Sequence, residues 1–191
     1  AAAALVETAI QRACAEVYRL AGADPSKRGM GTTVVCLVLA GTKAIVGHVG
    51  DSRVYLLRGG QAHRLTEDHT LIAAQLKAGT LTREQAQASQ LRNVITRAVG
   101  IQESVQVDTL MVDLLPKDLF LLCSDGLHGY LPDEELPKVI EDIPLAEIPA
   151  KLVALANERG GKDNVTTVVV GISDGGAPLE ELEETTSRME V

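Results

Sequence analysis

The sequence predicts an α+β fold, in which strands and helices occupy separate stretches of the chain. Three observations support this class. Runs rich in β-branched residues follow one another between residues 32 and 65, separated only by short turns that contain glycine. A helical period replaces them over residues 69–98, and a second helical region spans residues 132–160. Because strands and helices are grouped rather than alternating, consecutive strands are expected to pair in antiparallel sheets.

Residues 1–21 are predicted to form an amphipathic helix. Its apolar residues recur at steps of four and three and make one stripe, which consists of Val6, Ile10, Ala13, Val17 and Leu20. Four alanines open the helix, and no capping residue precedes them. This start favours a chain that begins inside an element whose first residues are missing.

The first strands are predicted at residues 32–40, 44–49 and 53–58. Gly59 and Gly60 form a two-residue hairpin signal that joins the third run to a fourth at residues 61–65. The first three runs are almost continuously apolar, which is typical of sheets that are covered on both faces.

Two short helices are predicted after the hairpins, the first ending at Gly79 and the second capped by Thr82. Three further strands are expected within the segments 104–112, 118–123 and 164–172. Between the last two strands, three prolines are expected to interrupt the helical region at residues 132–160: Pro137, Pro144 and Pro149.

Composition and charge exclude several classes of protein. The formal charge is −8 at pH 7, and the only aromatic residues are three Tyr and one Phe, so nucleic acid is not an expected partner. No apolar run approaches the roughly 20 residues that cross a bilayer, so no membrane partner is expected. Three cysteines without disulfide or zinc spacing indicate a reducing compartment, and we predict a cytoplasmic protein. We expect one domain at residues 1–173 and an acidic tail or linker at residues 174–191.

Three acids share one setting at the ends of apolar strands, next to glycine or another turn former. They are Asp51 in GHVGDSRVY, Asp125 in LLCSDGL and Asp163 in GGKDNVT. Carboxylates fixed at the edge of a rigid sheet suit a hard divalent cation, Mg²⁺ or Mn²⁺. The alternative is that each Asp merely begins a turn, which Asp does well.

Other polar residues have plainer interpretations. Ser52 and Ser124 could be nucleophiles, but no His lies in a general-base arrangement and GxSxG is absent. His48 lies in a strand and is expected to be a packed core residue, whereas surface placement is favoured for His128 over a contact with substrate. The two arginines Arg53 and Arg97 are expected to hold loops through charge-assisted hydrogen bonds.

Six motifs occur in an order that resembles one enzyme family. They are GMGTT (29–33), GHVGDSRVY (47–55), LTEDHT (65–70), RNVITRAVG (92–100), LLCSDGL (121–127) and GGKDNVT (160–166). Together they are similar to the metal-dependent serine/threonine protein phosphatases of type 2C, the PPM family, in its bacterial branch. The resemblance implies a four-layer sandwich of two antiparallel sheets flanked by helices.

The resemblance also implies a chemistry. Family enzymes hold two core Mg²⁺ or Mn²⁺ ions, in some cases with a third, and use a metal-activated water to hydrolyse phosphoserine and phosphothreonine. Asp125 and Asp163 match ligands of one core metal, and Asp51 matches the acid of the additional, weaker metal. Residues 69–96 match the family's mobile flap beside the active site. The implied partners are phosphorylated proteins that a cognate serine/threonine kinase modifies, and a monomer is expected.

The resemblance does not extend to the N-terminal residues of the chain. Nothing in residues 1–28 matches the upstream strand with its phosphate-contacting arginine, or the loop with the aspartate that bridges the two core metals. We therefore expect a sandwich that lacks its first strands and a chain that is inactive alone. Two alternative functions stay open: a catalytically inactive phosphatase fold that binds partners, and a phosphatase of a stress or sporulation anti-sigma pathway.

Overall fold

A computed structural model describes residues 2–89, 91 and 94–173, and the predicted acidic tail at 174–191 lies outside the described residues. The helices are α1 (Ala2–Ala23), α2 (Leu71–Lys77), α3 (Arg83–Ala88), α4 (Asp125–His128), α5 (Leu136–Val139) and α6 (Ile148–Glu158). The strands are β1 (Val34–Ala40), β2 (Lys43–Val49), β3 (Arg53–Arg58), β4 (Gln61–Arg64), β5 (Asp108–Asp113), β6 (Leu119–Cys123) and β7 (Thr167–Gly171).

The strands form two sheets, and every pairing between them is antiparallel. One sheet has the order β1-β2-β5, and the other has the order β4-β3-β6-β7. The predicted hairpin between β3 and β4 is confirmed, with Arg58 paired to Gln61 across two residues. Gly59 and Gly60 have φ values of 58° and 76°, a left-handed conformation that glycine adopts without strain.

Three apolar clusters separate four layers. The first lies between α1 and β2 and includes Val6, Ile10 and Ile45. The second lies between the two sheets and contains Ala44, Val46, Val54, Leu56 and Phe120. The third lies between the larger sheet and the helices α4, α5 and α6, around Tyr55, Leu121, Leu127, Leu136 and Leu152. Alternate residues of each central strand face opposite layers, as the pleat requires, and the predicted four-layer α+β sandwich is confirmed.

The first helix differs from its predicted stripe at two positions. Val6 and Ile10 are buried as expected, but the third buried residue is Cys14, while Ala13 and Leu20 are exposed. A step of four from Ile10 keeps the stripe over β2, whereas Ala13 lies to one side of it.

As expected, the helical region after β6 is interrupted, and each of its three prolines lies at the start of one of the separate helices. Pro137 and Pro149 occupy the first turns of α5 and α6, where a missing N–H group costs nothing because no partner exists for it. Pro144 caps a short 3-10 turn before α6. The fifth strand begins at Asp108, later than the segment predicted for it.

The chain changes sheets between β2 and β3, and this crossing takes only three residues, Gly50 to Ser52. Gly50 has a φ of 111°, and a Cβ there would lie 2.3 Å from Thr33 Cγ2. The tight turn therefore requires glycine, and it leaves the next residue, Asp51, at the edge of the sandwich.

No helix among the described residues combines the length and the apolar character that a bilayer crossing demands.

Candidate metal centre

The three acids singled out by the sequence line one cleft at the edge of the sandwich, with a volume of about 1310 Å³. Strand register brings them together. Arg53 of β3 pairs with Cys123 of β6, which pairs in turn with Thr167 of β7. Asp51, Asp125 and Asp163 each lie a few residues beyond one of these paired positions, at the same end of the larger sheet.

Ser124 clamps the loops that carry Asp125 and Asp163. Its backbone N–H donates to the Thr166 carbonyl oxygen over 3.1 Å, and its hydroxyl accepts from the Thr166 N–H over 3.1 Å. The same hydroxyl donates to the Asn164 carbonyl oxygen over 3.2 Å. Because its oxygen is used in this way, Ser124 is a structural residue and not a free nucleophile.

Gly126 allows these two loops to approach closely. A Cβ on Gly126 would lie 2.3 Å from the carbonyl oxygen of Asn164 and 2.9 Å from its carbonyl carbon. No side chain fits into that space. The sequence indicates only a turn at Asp125. In the structure, Asp125 is the first residue of the one-turn helix α4, which the apolar strand before it does not predict.

Asp51 is the most buried of the three acids, with 8% of its surface exposed. Burial raises the pKa of its carboxyl group, and the nearby negative charge of Asp125 raises it further. The two carboxylates therefore repel each other, a cost that bound cations would relieve.

His128 supports the turn that carries Asp51. Its Nε2–H donates to the Asp51 carbonyl oxygen over 2.9 Å, and the residue is partly buried in the wall of the cleft. The expected surface placement of His128 was wrong, because the helical turn α4 directs this side chain back over the Gly50–Ser52 crossing. Ser52 also has a structural bond, with its hydroxyl 2.9 Å from that of Thr33.

Arg53 is held away from the three acids by other carboxylates. Its guanidinium donates to both oxygens of Asp68, over 2.9 and 2.6 Å, and to Asp133 over 3.3 Å. Tyr55 donates to the same Asp133 oxygen over 2.8 Å. Burial alone would raise the pKa of Asp68, but the hydrogen bonds and charge of Arg53 bring it below its usual value. The predicted role of Arg53 as a residue that holds loops is confirmed.

Two cations without a protein ion pair also line the cleft. Arg64, at the end of β4, and Lys162, beside Asp163, make no salt bridge with any residue in the described part of the chain. Arg159 lines the cleft too, but it pairs with Glu135 over 2.7 Å. The sequence analysis did not single out Asp68, Arg64 or Lys162. Asp68 lies within the motif LTEDHT, Arg64 directly precedes that motif, and Lys162 lies within GGKDNVT.

The chemistry of these three side chains fits a hard divalent cation, although their ligand atoms do not all lie within 4.8 Å of one another. Within the described ranges, no Lys or Arg lies within ion-pair distance of Asp51, Asp125 or Asp163, so these carboxylates are not neutralised by the protein itself. Carboxylate oxygens on separate rigid loops are the ligands that Mg²⁺ and Mn²⁺ prefer.

Comparison with known proteins gives a consistent group of relatives. The family model described as Protein phosphatase 2C matches residues 2–75. Protein phosphatase PhpP of Streptococcus pneumoniae serotype 2 (strain D39) is 42% identical over 154 residues, which make up 80% of this chain and 63% of PhpP. The chain thus spans less than two thirds of the length of that relative.

Two solved structures share the fold at clear sequence identity. The serine/threonine phosphatase of S. agalactiae is 34% identical with a TM-score of 0.82, over 88% of this chain and 69% of that one. The catalytic domain of the serine/threonine protein phosphatase PstP, solved with two manganese ions, is 32% identical with a TM-score of 0.80. That match covers 89% of this chain and 71% of the PstP chain.

Proposed function

We propose, from the premise that this chain belongs to the protein phosphatase 2C (PPM) family, that its cleft serves the hydrolysis of phosphoserine and phosphothreonine in proteins. Asp125 and Asp163 would hold one core Mn²⁺ or Mg²⁺ ion, and Asp51 would hold a weaker one. When bound, such cations supply an activated water and neutralise charge on the phosphoryl oxygens.

The observation that carries this proposal is the convergence of the three acids. Asp51, Asp125 and Asp163 come from distant parts of the sequence, yet register and the Ser124 clamp bring them to one cleft. Burial and the negative charge of Asp125 raise the pKa of Asp51, and the positive charge of Arg53 offsets only part of this effect. A bound cation would relieve the remaining repulsion between the two acids.

The remaining residues of the cleft suit a phosphorylated substrate. Arg64 and Lys162 make no salt bridge within the described part of the chain, although the charge of Arg64 acts on Asp68, so both are available to a phosphate group or to acidic residues beside it. Arg53 and His128 do not share this role, because their polar groups already bind Asp68 and the Asp51 backbone. Their part is to fix the walls of the cleft.

The relatives support the substrate class. PhpP is a protein phosphatase by name, and the S. agalactiae and PstP proteins are serine/threonine phosphatases by name. A phosphorylated protein, modified by a cognate serine/threonine kinase in the cytoplasm, is therefore the substrate that we propose.

The direct experiment is a calorimetric titration of Mn²⁺ into the chain and into Asp125→Asn and Asp163→Asn. Each variant is expected to lose the tighter binding event, since one of few charged ligands is replaced by a neutral one. Asp142→Asn is the matched control: Asp142 is exposed and has a φ of 58°, a conformation that Asn tolerates well. Unchanged tight binding in both cleft variants would overturn the metal assignment.

Turnover is measured in parallel with a phosphothreonine peptide at millimolar Mn²⁺, for this chain and for an extended chain that carries, before residue 1, the upstream strand and loop that the family resemblance implies. We expect the extended chain to hydrolyse the peptide and this chain alone to show no turnover above background. Tight peptide binding without turnover in the extended chain would instead favour a phosphoprotein-binding module.

A further inference from the structure

A second polar cluster lies beside the cleft, between the two sheets. It contains His48, His69 and Asp108, which present ligand-type atoms within 4.8 Å of one another. The two imidazole rings are 4.4 Å apart, and His48 is 2% exposed with neither ring nitrogen bonded to any described residue. This composition suggests a transition-metal site at first sight.

The hydrogen bonds within the cluster argue against a metal. The Gly50 N–H donates to His69 Nδ1 over 3.1 Å, so the proton of the neutral ring is on Nε2, where it faces Asp108 Oδ2 at 3.1 Å. A cation at Nε2 would have to displace that proton. It would also lie close to the guanidinium of Arg97, which donates to Asp108 Oδ1 over 2.7 Å. The cluster is built as a chain of hydrogen bonds.

His69 is the centre of that chain, because all four of its polar groups are bonded. Its backbone N–H donates to the Gly50 carbonyl oxygen over 2.8 Å, and its ring accepts from the Gly50 N–H. Its carbonyl oxygen accepts from the Thr96 N–H over 2.8 Å, and its Nε2–H donates to Asp108. One residue thus binds both polar backbone groups of Gly50 and the far end of the flap.

The flap is the segment of residues 69–96. Backbone hydrogen bonds pair its two ends, which form its base, in an antiparallel arrangement. Leu71 N–H donates to the Val94 carbonyl oxygen over 2.9 Å, and Thr70 forms an antiparallel bridge with Ile95. The bond between His69 and Thr96 completes this base, and His69 also reaches Gly50, the residue before Asp51. Burial lowers the pKa of the His69 ring, which favours the neutral form, and the bond from the Gly50 N–H selects its tautomer.

We propose that His69 is a positioning residue that locks the Gly50–Asp51 turn to the base of the flap, so that the flap and the weaker metal site of Asp51 form one coupled unit. The metal part of this proposal rests on the proposed function, whereas the coupling between Gly50 and the flap does not. The His48 ring packs against the His69 ring, with the two ring planes tilted by 43°.

The test compares three variants by amide hydrogen exchange without metal. His69→Leu removes both ring hydrogen bonds, while His69→Gln keeps one acceptor and one donor at similar reach. His63→Gln is the matched control, because His63 is an exposed residue of β4 outside the cluster. In His69→Leu, exchange at Gly50 and at Thr96 is expected to rise together by about tenfold, the effect of about one net hydrogen bond.

His69→Gln is expected to recover most of the protection at both amides, and His63→Gln is expected to change neither. Faster exchange at only one of the two amides, or a Gln variant no better protected than the Leu variant, would overturn the coupling. If His69→Leu does not fold, Asp108→Ala gives the same readout from the partly exposed end of the chain of bonds, with both amides again expected to exchange faster.

The second measurement is Mn²⁺ binding by calorimetry. His69→Leu is expected to weaken the weaker site about tenfold and to leave the tighter site of Asp125 and Asp163 unchanged. Equal weakening of both sites would show that His69 supports the fold in general and would refute the positioning role. If the parent chain binds no Mn²⁺ at all, the proposed function fails, and the exchange data alone decide whether His69 couples the turn to the flap.

Discussion

The two walls of the cleft are built in different ways. The wall of Asp125 and Asp163 stands on β6 and β7, is clamped by backbone bonds to Ser124, and rests on the apolar cluster beneath α4 and α6. The flap wall is attached through polar groups, mainly His69 and the pair of Arg53 with Asp68. Several of its apolar side chains face solvent: Leu76, Leu91, Val94 and Ile95.

This difference suits the two tasks that we propose for the walls, metal binding and substrate selection. Metal ligands need positions fixed to a fraction of an ångström, and a sheet edge over a packed core supplies that rigidity. A surface that selects among substrates gains from a low cost of opening, which exposed side chains and a few hydrogen bonds provide. We therefore expect substitutions in the first wall to affect metal binding and stability, and substitutions in the flap to affect the choice of substrate.

The largest effect is expected from Gly126→Ala in the rigid wall. The new methyl group would meet the Asn164 carbonyl, and the backbone cannot retreat without breaking the Ser124 clamp. We expect a loss of about 3 kcal/mol in the free energy of unfolding, at the upper end of overpacking costs, and the loss of tight Mn²⁺ binding. Chemical denaturation and calorimetry measure the two effects.

Gly22→Ala is the control for that substitution, because nothing lies within 4 Å of a Cβ there and the residue is helical. It should leave the stability unchanged or raise it by about 0.5–1 kcal/mol. A Gly126→Ala variant that binds Mn²⁺ normally would show that the two acidic loops do not need their close contact.

A smaller loss is expected from Arg53→Lys, where the flap wall joins the sandwich. Lysine keeps the charge but cannot donate to both oxygens of Asp68 at once. We expect a cost of about 1–2 kcal/mol in denaturant unfolding, because this pair is largely buried. Arg159→Lys, in the exposed pair with Glu135, should cost less than about 0.5 kcal/mol. Equal costs at both sites would remove the distinction between a fixed and a solvated ion pair.

Replacing residues 80–90 by a short Gly-Ser linker tests the role of the flap wall. In the extended chain of the turnover assay, we expect this change to preserve most of the turnover of a small aryl phosphate and to lower kcat/KM for a phosphopeptide at least about tenfold, a difference near 1.4 kcal/mol. An equal loss with both substrates would place the flap in the chemistry itself.

The smallest effect concerns Asp51 in the metal-free chain. Because its folded-state pKa is raised, the charged carboxylate costs stability as the pH rises through that pKa, and the cost is absent when the group is protonated. Asp51→Asn should therefore raise the melting temperature at pH 7, and the gain should vanish below about pH 4. With Mn²⁺ present the variant should lose this advantage. A gain that persists at low pH would point to a cause other than charge.

Much of the fold followed from the sequence because its signals are local. The β-branched runs, the Gly59-Gly60 turn and the cap Thr82 each act within a few residues, and the structure has them where they were expected. The stripe of α1 failed at Ala13 because the helix has to follow β2, a contact that no local signal records.

The site was predictable in part for the same reason. Strand-end acids beside glycine can be recognised one motif at a time, and Asp51, Asp125 and Asp163 do lie in one cleft. The bonds of His69 and His128 cannot be recognised in this way, because each joins segments that meet only after the chain has changed sheets. Tertiary partners of this kind leave no periodic trace in the sequence.

The register that aligns β3, β6 and β7 also has a consequence for the order of folding. The hairpins β1-β2 and β3-β4 close short loops and can form early, but the pairing of Arg53 with Cys123 and of Cys123 with Thr167 has to wait for closure of long loops. An intermediate with only the hairpins would contain Asp51 but no cleft. Binding of Mn²⁺ during refolding should therefore coincide with the slowest structural phase. The kinetics of Mn²⁺ binding would then report when the last strand pairs of the native topology form.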